Sequence, residues 1–396
     1  MTDSNFLENL LNDLVKIYYY QIFDGDFIIE KKIKLIILIL IILVVLGVAT
    51  HLFLTPSSVE TEGVKNITDM LNRTVKVPNG VNNVISTSPP MTTVLYMIAP
   101  EKLKAVNFQW TEAELKYVPS EYANLPVVGG WYGTQDGSYE EFIAAEPDVV
   151  IEFIYENGDG DASTVQERQD KFGKIPVLAV KDTTNVEKIG DSISFMGKVV
   201  GAEDKAKQLN DFNNKYLDMV HDKSAKLSYN DKKTVYYAAG SDGLQTYPSG
   251  ASHSQLIDLI GGKNVAGSLN QCNTMSGVQV SIEQVIKLDP DIIITNDMNF
   301  YNKVYNDSGW AHLKAVKNKD VYVSPQSPFK WFGKPGGANR IIGVPWTAKV
   351  IYPEDYKDIN MVDVTKEFYS NFYHFDLNDN QAKEILLDSG LKESNL

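Results

Sequence analysis

From Leu35 to Phe53 the chain runs nineteen positions without a formal charge, and a polar residue does not recur at each turn as it would in a helix covering a globular core. At about 1.5 Å per residue such a helix just crosses a hydrocarbon layer of about 30 Å. Lys31, Lys32 and Lys34 precede the run, and the next basic residue is Lys65. That asymmetry predicts a single pass with the N-terminus cytoplasmic and everything after Leu54 outside. Gly47-Val48-Ala49 also offers the small residues a signal peptidase accepts. The length of the run and the thirty residues ahead of its lysines favour an uncleaved anchor.

Beyond residue 54 the apolar pattern changes to short blocks. Val84-Ile85-Ser86, Lys104-Ala105-Val106, Ile175–Val180, Lys233–Ala238 and Asp320–Val323 read as strands, with helical spacing over Met91–Ala99, Thr164–Phe172 and Ser254–Ile260. The segment Glu140–Ile151, ending Glu-Pro-Asp-Val-Val-Ile, is matched by Glu283–Ile294, ending Asp-Pro-Asp-Ile-Ile-Ile, at a constant offset of 143. Each copy predicts a short helix, a Pro-Asp stop and an all-apolar strand suited to a parallel sheet covered on both faces. Between the copies, Ala202–Lys223 contains no Gly or Pro, and Ala206, Leu209, Phe212, Asn213, Tyr216, Leu217 and Val220 follow a helical stripe. The fold class is therefore α/β: two similar lobes with mainly parallel sheets, joined by one long helix, with a ligand cleft between lobes and a transmembrane helix in front. The predicted boundaries are 1–32 for a cytoplasmic tail, 33–54 for the anchor or signal segment and 55–65 for a linker. They continue as 66–183 for the first lobe, 184–224 for the helical connection and 225–396 for the second lobe.

Charge narrows the function classes. Of 37 basic and 51 acidic side chains, four and six fall in the first 54 residues, so the exported part carries −12. An acidic surface argues against a nucleic-acid partner. The single Cys272 excludes an internal disulfide framework, and no Cys follows the apolar run to carry a lipid anchor. Five dispersed histidines form no metal-binding pair, and no phosphate-cradling loop with Lys-Ser/Thr is present. No enzyme signature and no resident metal or cofactor is expected.

The stretch Ile67-Thr68-Asp69-Met70-Leu71-Asn72-Arg73-Thr74-Val75-Lys76-Val77-Pro78 opens the exported part. Ser86-Thr87-Ser88-Pro89-Pro90, Pro126-Val127-Val128-Gly129-Gly130, the two Pro-Asp strands and Gly261-Gly262-Lys263-Asn264-Val265-Ala266 follow. In this order the chain resembles the helical-backbone (class III) substrate-binding proteins of ABC importers, which take up ferric siderophores, haem, cobalamin and related metal chelates. It departs from their pattern at Asn72, where Gly is usual, and at Pro90-Met91-Thr92-Thr93, where a Glu is more frequent. The resemblance implies an extracytoplasmic receptor for a metal chelate, foremost a ferric siderophore. Cobalamin, haem, a nickel chelate or an oxyanion are alternatives, as is a membrane-tethered sensor ectodomain. It further implies an ABC permease and its ATPase as partners, with Glu140 and Glu283 docking on the permease. Loops at strand ends nominate the ligand-binding residues Ser88, Pro90, Met91, Trp131, Tyr132, Tyr155, Tyr247, His253, Asn296, Trp331 and Arg340. The rings of Trp131 and Trp331 would grip the chelate, and Arg340 would grip an anionic group. Trp346, Tyr352 and Phe372 are expected in the core.

Overall fold

A computed structural model describes residues 63–396 apart from 134, 156–160 and 269–276. The predicted tail and membrane run lie outside the described residues, and among those described no helix is long and apolar enough to cross a membrane. The described chain opens with an antiparallel hairpin of β1 (Val64–Thr68) and β2 (Thr74–Pro78). Its loop is pinned by Asp69. The carboxylate accepts from the backbone N–H of Leu71 and Arg73, pairs with the Arg73 guanidinium at 2.6 Å, and accepts from Ala179 N–H at 3.1 Å. Asn72 sits there at φ 61°, which explains how Asn replaces the usual Gly: its short side chain tolerates the left-handed region.

The first lobe holds β3 (Val84–Ser86), β4 (Val149–Ile154) and β5 (Val177–Lys181), parallel in the order β3-β4-β5. All six residues of β4 are buried, as a strand covered on both faces requires. The second lobe holds β6 (Thr234–Ala238), β8 (Lys263–Asn264), β10 (Ile292–Thr295) and β11 (Val321–Val323), parallel in the order β11-β10-β6-β8. A small antiparallel pair, β7 (Gln245–Thr246) with β9 (Val278–Gln279), lies beside it. The strand expected at Lys104–Val106 is reduced to single bridges, Val84 to Leu103 and Val106 to Val127. Val106 N–H turns to Pro126 O at 2.9 Å, and the Asn107 side-chain amide donates to the carbonyls of Ser86 (2.8 Å) and Gly129 (2.6 Å) in place of a continued ladder.

The internal repeat extends to local geometry. Ser138 and Ser281 each cap the following helix (Tyr139–Ala144 and Ile282–Leu288) by accepting from the N–H three residues on. Glu146 (φ 49°) and Asp289 (φ 37°) then break each helix in the left-handed region, just before the prolines. Asp148 accepts the backbone N–H groups of Asn82 and Asn83, and Asp291 accepts the N–H and hydroxyl of Thr234. Each aspartate thus ties its strand to the neighbouring one.

The connecting helix spans Glu203–Ser224, 22 residues or about 33 Å, and buries the predicted stripe. It packs against the helix Gly190–Val200, where a Cβ on Gly197 would come within 2.5 Å of Ala206 Cβ. A second tie between the lobes is aromatic. Tyr96 and Trp110 pack on Phe329 with centroids 5.3 and 5.4 Å apart, and Tyr117 packs on Tyr369 at 5.9 Å. Tyr96 Oη donates to Tyr373 O at 3.1 Å, while Ser327 Oγ accepts from Tyr117 N–H and donates to Glu114 O. A single buried cluster runs through both lobes and includes Trp346, Tyr352 and Phe372, as expected for core residues.

Candidate functional site

The carboxyl ends of both sheets and the loop Phe329–Arg340 converge on one buried polar region. Ser88 precedes the helix Pro89–Ile98 and makes no side-chain cap bond; its hydroxyl is buried and has no hydrogen-bond partner among the described residues. Pro89 and Pro90 start the helix and carry no N–H, so its first turn keeps fewer free donors. That helix packs against Ala338–Arg340. Gly336 and Gly337 permit the approach: a Cβ on the first would lie 2.9 Å from Arg340 Nη2, and one on the second 3.4 Å from Pro90 Cα.

Arg340 is the centre of the region. It is fully buried, and Nη1 donates to Ser252 O, yet Nε and Nη2 have no hydrogen-bond partner among the described residues. Burial pushes its guanidinium down to about 10, with the Asp182 carboxylate pulling the other way. His253 lies alongside, its ring 4.8 Å from that of Tyr247 and its Nδ1 buried without a partner among the described residues. Burial first, then the Arg340 and Lys334 cations, push it down to about 3, so it is neutral at physiological pH. Tyr132, half-buried against Phe153 at 5.1 Å, has its phenol pushed up to about 12 by burial. Asn296 donates to Lys334 O at 2.7 Å, and the Lys334 ammonium stands 5.2 Å from the Tyr247 ring centre. Tyr247 stacks on Tyr237, whose hydroxyl a Cβ at Gly333 would overlap. The region therefore places unpaired polar groups around one buried cation, Arg340, with the exposed Lys334 cation at its edge, which suits an anion. Two surface pockets of about 480 and 380 Å³ share Asn185 and Glu187; the larger is also lined by Ser252, the smaller by Asp182.

Of the nominated residues, Ser88, Pro90, Tyr132, Tyr247, His253, Asn296 and Arg340 are brought to this region. Met91 is buried in the core beneath it, and Tyr155 stands on the rim, 48% exposed and 5.0 Å from Phe153. Two expectations are corrected. Trp331 has no exposed surface; it lies in the core cluster, 6.3 Å from Tyr369, because its loop folds inward onto the aromatic tie. Trp131 packs into the first-lobe core, against Tyr139 (4.5 Å) and Phe142 (5.2 Å), with the Arg168 guanidinium 4.1 Å above its ring. Arg168 in turn faces Glu152 at 3.6 Å, a carboxyl that burial pushes up to about 7. Tyr237, Asp182 and Lys334 were not nominated. Each lies at or just beyond a strand end or a glycine of the loop, which is the positional signal that could have found them. Glu140 and Glu283 are exposed at the surface. Among the described residues no group of three or more His, Cys, Asp or Glu is arranged to hold a metal ion.

Residues 84–328 match the family model described as Periplasmic binding protein. The molybdate-binding protein MolA of Haemophilus influenzae is 27% identical over 331 residues, 78% of this chain and 90% of that protein. The uncharacterized ABC transporter substrate-binding lipoprotein YvrC of Bacillus subtilis is 27% identical over 295 residues, 74% of this chain and 87% of that protein. The solved ABC transporter solute binding protein from Sulfurospirillum deleyianum is 30% identical and superposes with a TM-score of 0.72, covering 81% of this chain and 98% of that one. With its two parallel-sheet lobes and connecting helix, the chain belongs to the periplasmic binding protein family, in its class III, and is a substrate-binding protein of an ABC transporter.

Proposed function

We propose that the chain captures a compact anion between its lobes and hands it to an ABC permease. The observation that carries this reading is Arg340. A fully buried guanidinium that leaves Nε and Nη2 without partners among the described residues is costly unless an acceptor completes it. A tetrahedral oxyanion of the molybdate type supplies such acceptors in a planar, two-pronged geometry. Ser88 and the neutral His253 add uncharged polar contacts, and Lys334 a second cation. The name of MolA points the same way. A ferric siderophore remains the second reading, supported by the partly open phenol surface of Tyr132 and Tyr155 on either side of Phe153. The burial of Trp331 and the inward turn of Trp131 favour the smaller ligand.

Delivery follows from the repeat. Glu140 and Glu283, exposed at equivalent places on the two lobes, would meet cationic side chains of the permease, which passes the ligand on at the expense of its ATPase. Residues 33–54 would tether the receptor to the membrane with 1–32 inside, leaving the lobes 66–183 and 225–396 outside around the connection 184–224. The test is calorimetric titration of the wild-type protein and Arg340→Met with molybdate. Binding by the wild type and its loss in the variant is expected; equal binding by both would overturn the reading.

A further inference from the structure

The repeat carries more than a carboxylate. Ser138-Tyr139-Glu140-Glu141-Phe142-Ile143 and Ser281-Ile282-Glu283-Gln284-Val285-Ile286 occupy equivalent positions, each with a serine cap, then an exposed glutamate, a buried apolar residue and an exposed isoleucine. Each serine caps its helix, and Ser138 Oγ also donates to Glu140 at 3.0 Å. Phe142 and Val285 are fully buried and fix each helix to its sheet. Ile143 and Ile286 then stand 43% and 41% exposed, three residues after each glutamate and so on the same helix face. Among the described residues they are the only two isoleucines in the exposed class. One exposed isoleucine needs no explanation. Two of them, each three residues after an exposed carboxylate and repeated at an offset of 143, form a matched pair of surfaces.

We infer that Ile143 and Ile286 are apolar anchors that enter recesses of the permease beside the cations taken by Glu140 and Glu283. This rests on the docking reading above and extends it from charge to shape. The occupant is a membrane protein that presents a cation next to an apolar recess at two places related by twofold pseudo-symmetry, because only a repeated surface can match a repeated one. Charge complementarity supports that choice: both prongs are anionic, and residues 55–396 carry a net charge of −12. The apolar part adds affinity where water is expelled around the ion pair, and the ion pair fixes register.

The experiment measures binding of the full-length protein to the permease–ATPase pair of its importer in nanodiscs, together with stimulation of ATP hydrolysis. Ile143→Ser/Ile286→Ser should weaken binding about tenfold, Ile143→Leu/Ile286→Leu should restore it, and Glu140→Ala/Glu283→Ala should abolish stimulation. Molybdate titration should be unchanged in all three, and the melting temperature should fall by no more than a few degrees in the serine variant, whose isoleucines are a little over half covered. Wild-type binding by the serine variant, alongside loss in the alanine variant, overturns the anchors while docking stands. Wild-type binding by both overturns docking itself.

Discussion

Arg340→Met separates a ligand grip from a structural tie. In the free protein the guanidinium is pushed from 12.5 to about 10 by burial, which corresponds to an unfavourable contribution of about 3 kcal/mol. Its hydrogen bond to Ser252 O returns about 1.5 kcal/mol. Methionine fills the same buried channel with a flexible apolar chain and no charge. The ligand-free variant should thus equal the wild type or exceed it by up to about 2 kcal/mol, in line with the behaviour of buried charges replaced by apolar residues. For a folded part of this size that is a rise in Tm of about 0–4 °C. At a hundredfold excess over Kd, a bound anion adds about 2.7 kcal/mol to the wild type, a further shift of several degrees that the variant should lack. Calorimetric melts with and without molybdate read both quantities. A variant that melts well below the wild type yet keeps the full ligand shift would refute the reasoning and make Arg340 an interlobe clamp.

Glu140→Ala/Glu283→Ala should abolish ligand uptake by cells while leaving the Kd for the ligand unchanged; normal uptake would remove both residues from docking. Glu152 has its folded value raised to about 7 from an unfolded value near 4.3, so the folded state holds the extra proton and stability falls as pH rises from about 4.5 to about 7. Glu152→Gln should flatten that slope, measured by urea unfolding across the range, and an unchanged slope would place the titration elsewhere. His253 acts in the opposite sense: its folded value is lowered to about 3, so stability falls as pH drops below about 6.5, and His253→Phe should reduce the loss on the acid side in the same series. Phe329→Ala removes the ring on which Tyr96 and Trp110 pack and should cost about 3–5 kcal/mol; a loss below about 1 kcal/mol in chemical denaturation would show that the aromatic tie contributes little.

The backbone plan was written in short-range patterns. The Pro-Asp repeat, the stripe from Ala206 to Val220 and the apolar runs of β3, β4, β6 and β10 each depend on residues a few positions apart, and the structure shows them as strands and helices of those kinds. Asn107 shows where such reading stops, since a side chain hydrogen-bonding across to Ser86 and Gly129 is invisible to periodicity. The site was half legible for the same reason. Strand ends pointed to Ser88, His253, Asn296 and Arg340, but whether a loop tryptophan faces a cleft or a core depends on partners far away in sequence. Trp331 is buried among residues such as Tyr369, and Trp131 is set by Tyr139, Phe142 and Arg168. The tie of Tyr96, Trp110 and Tyr117 to Phe329 and Tyr369 spans more than 200 residues of sequence and left no local trace.

The central claim, a receptor whose buried arginine holds an anion between two lobes, is tested most directly by calorimetric titration of the wild-type protein at pH 7 with molybdate, a ferric catecholate siderophore, haem and cyanocobalamin. The account predicts one-to-one binding of molybdate or, on the second reading, of the anionic ferric chelate, with the same ligand failing to bind Arg340→Met. Binding of cyanocobalamin alone, undiminished in Arg340→Met, would contradict it.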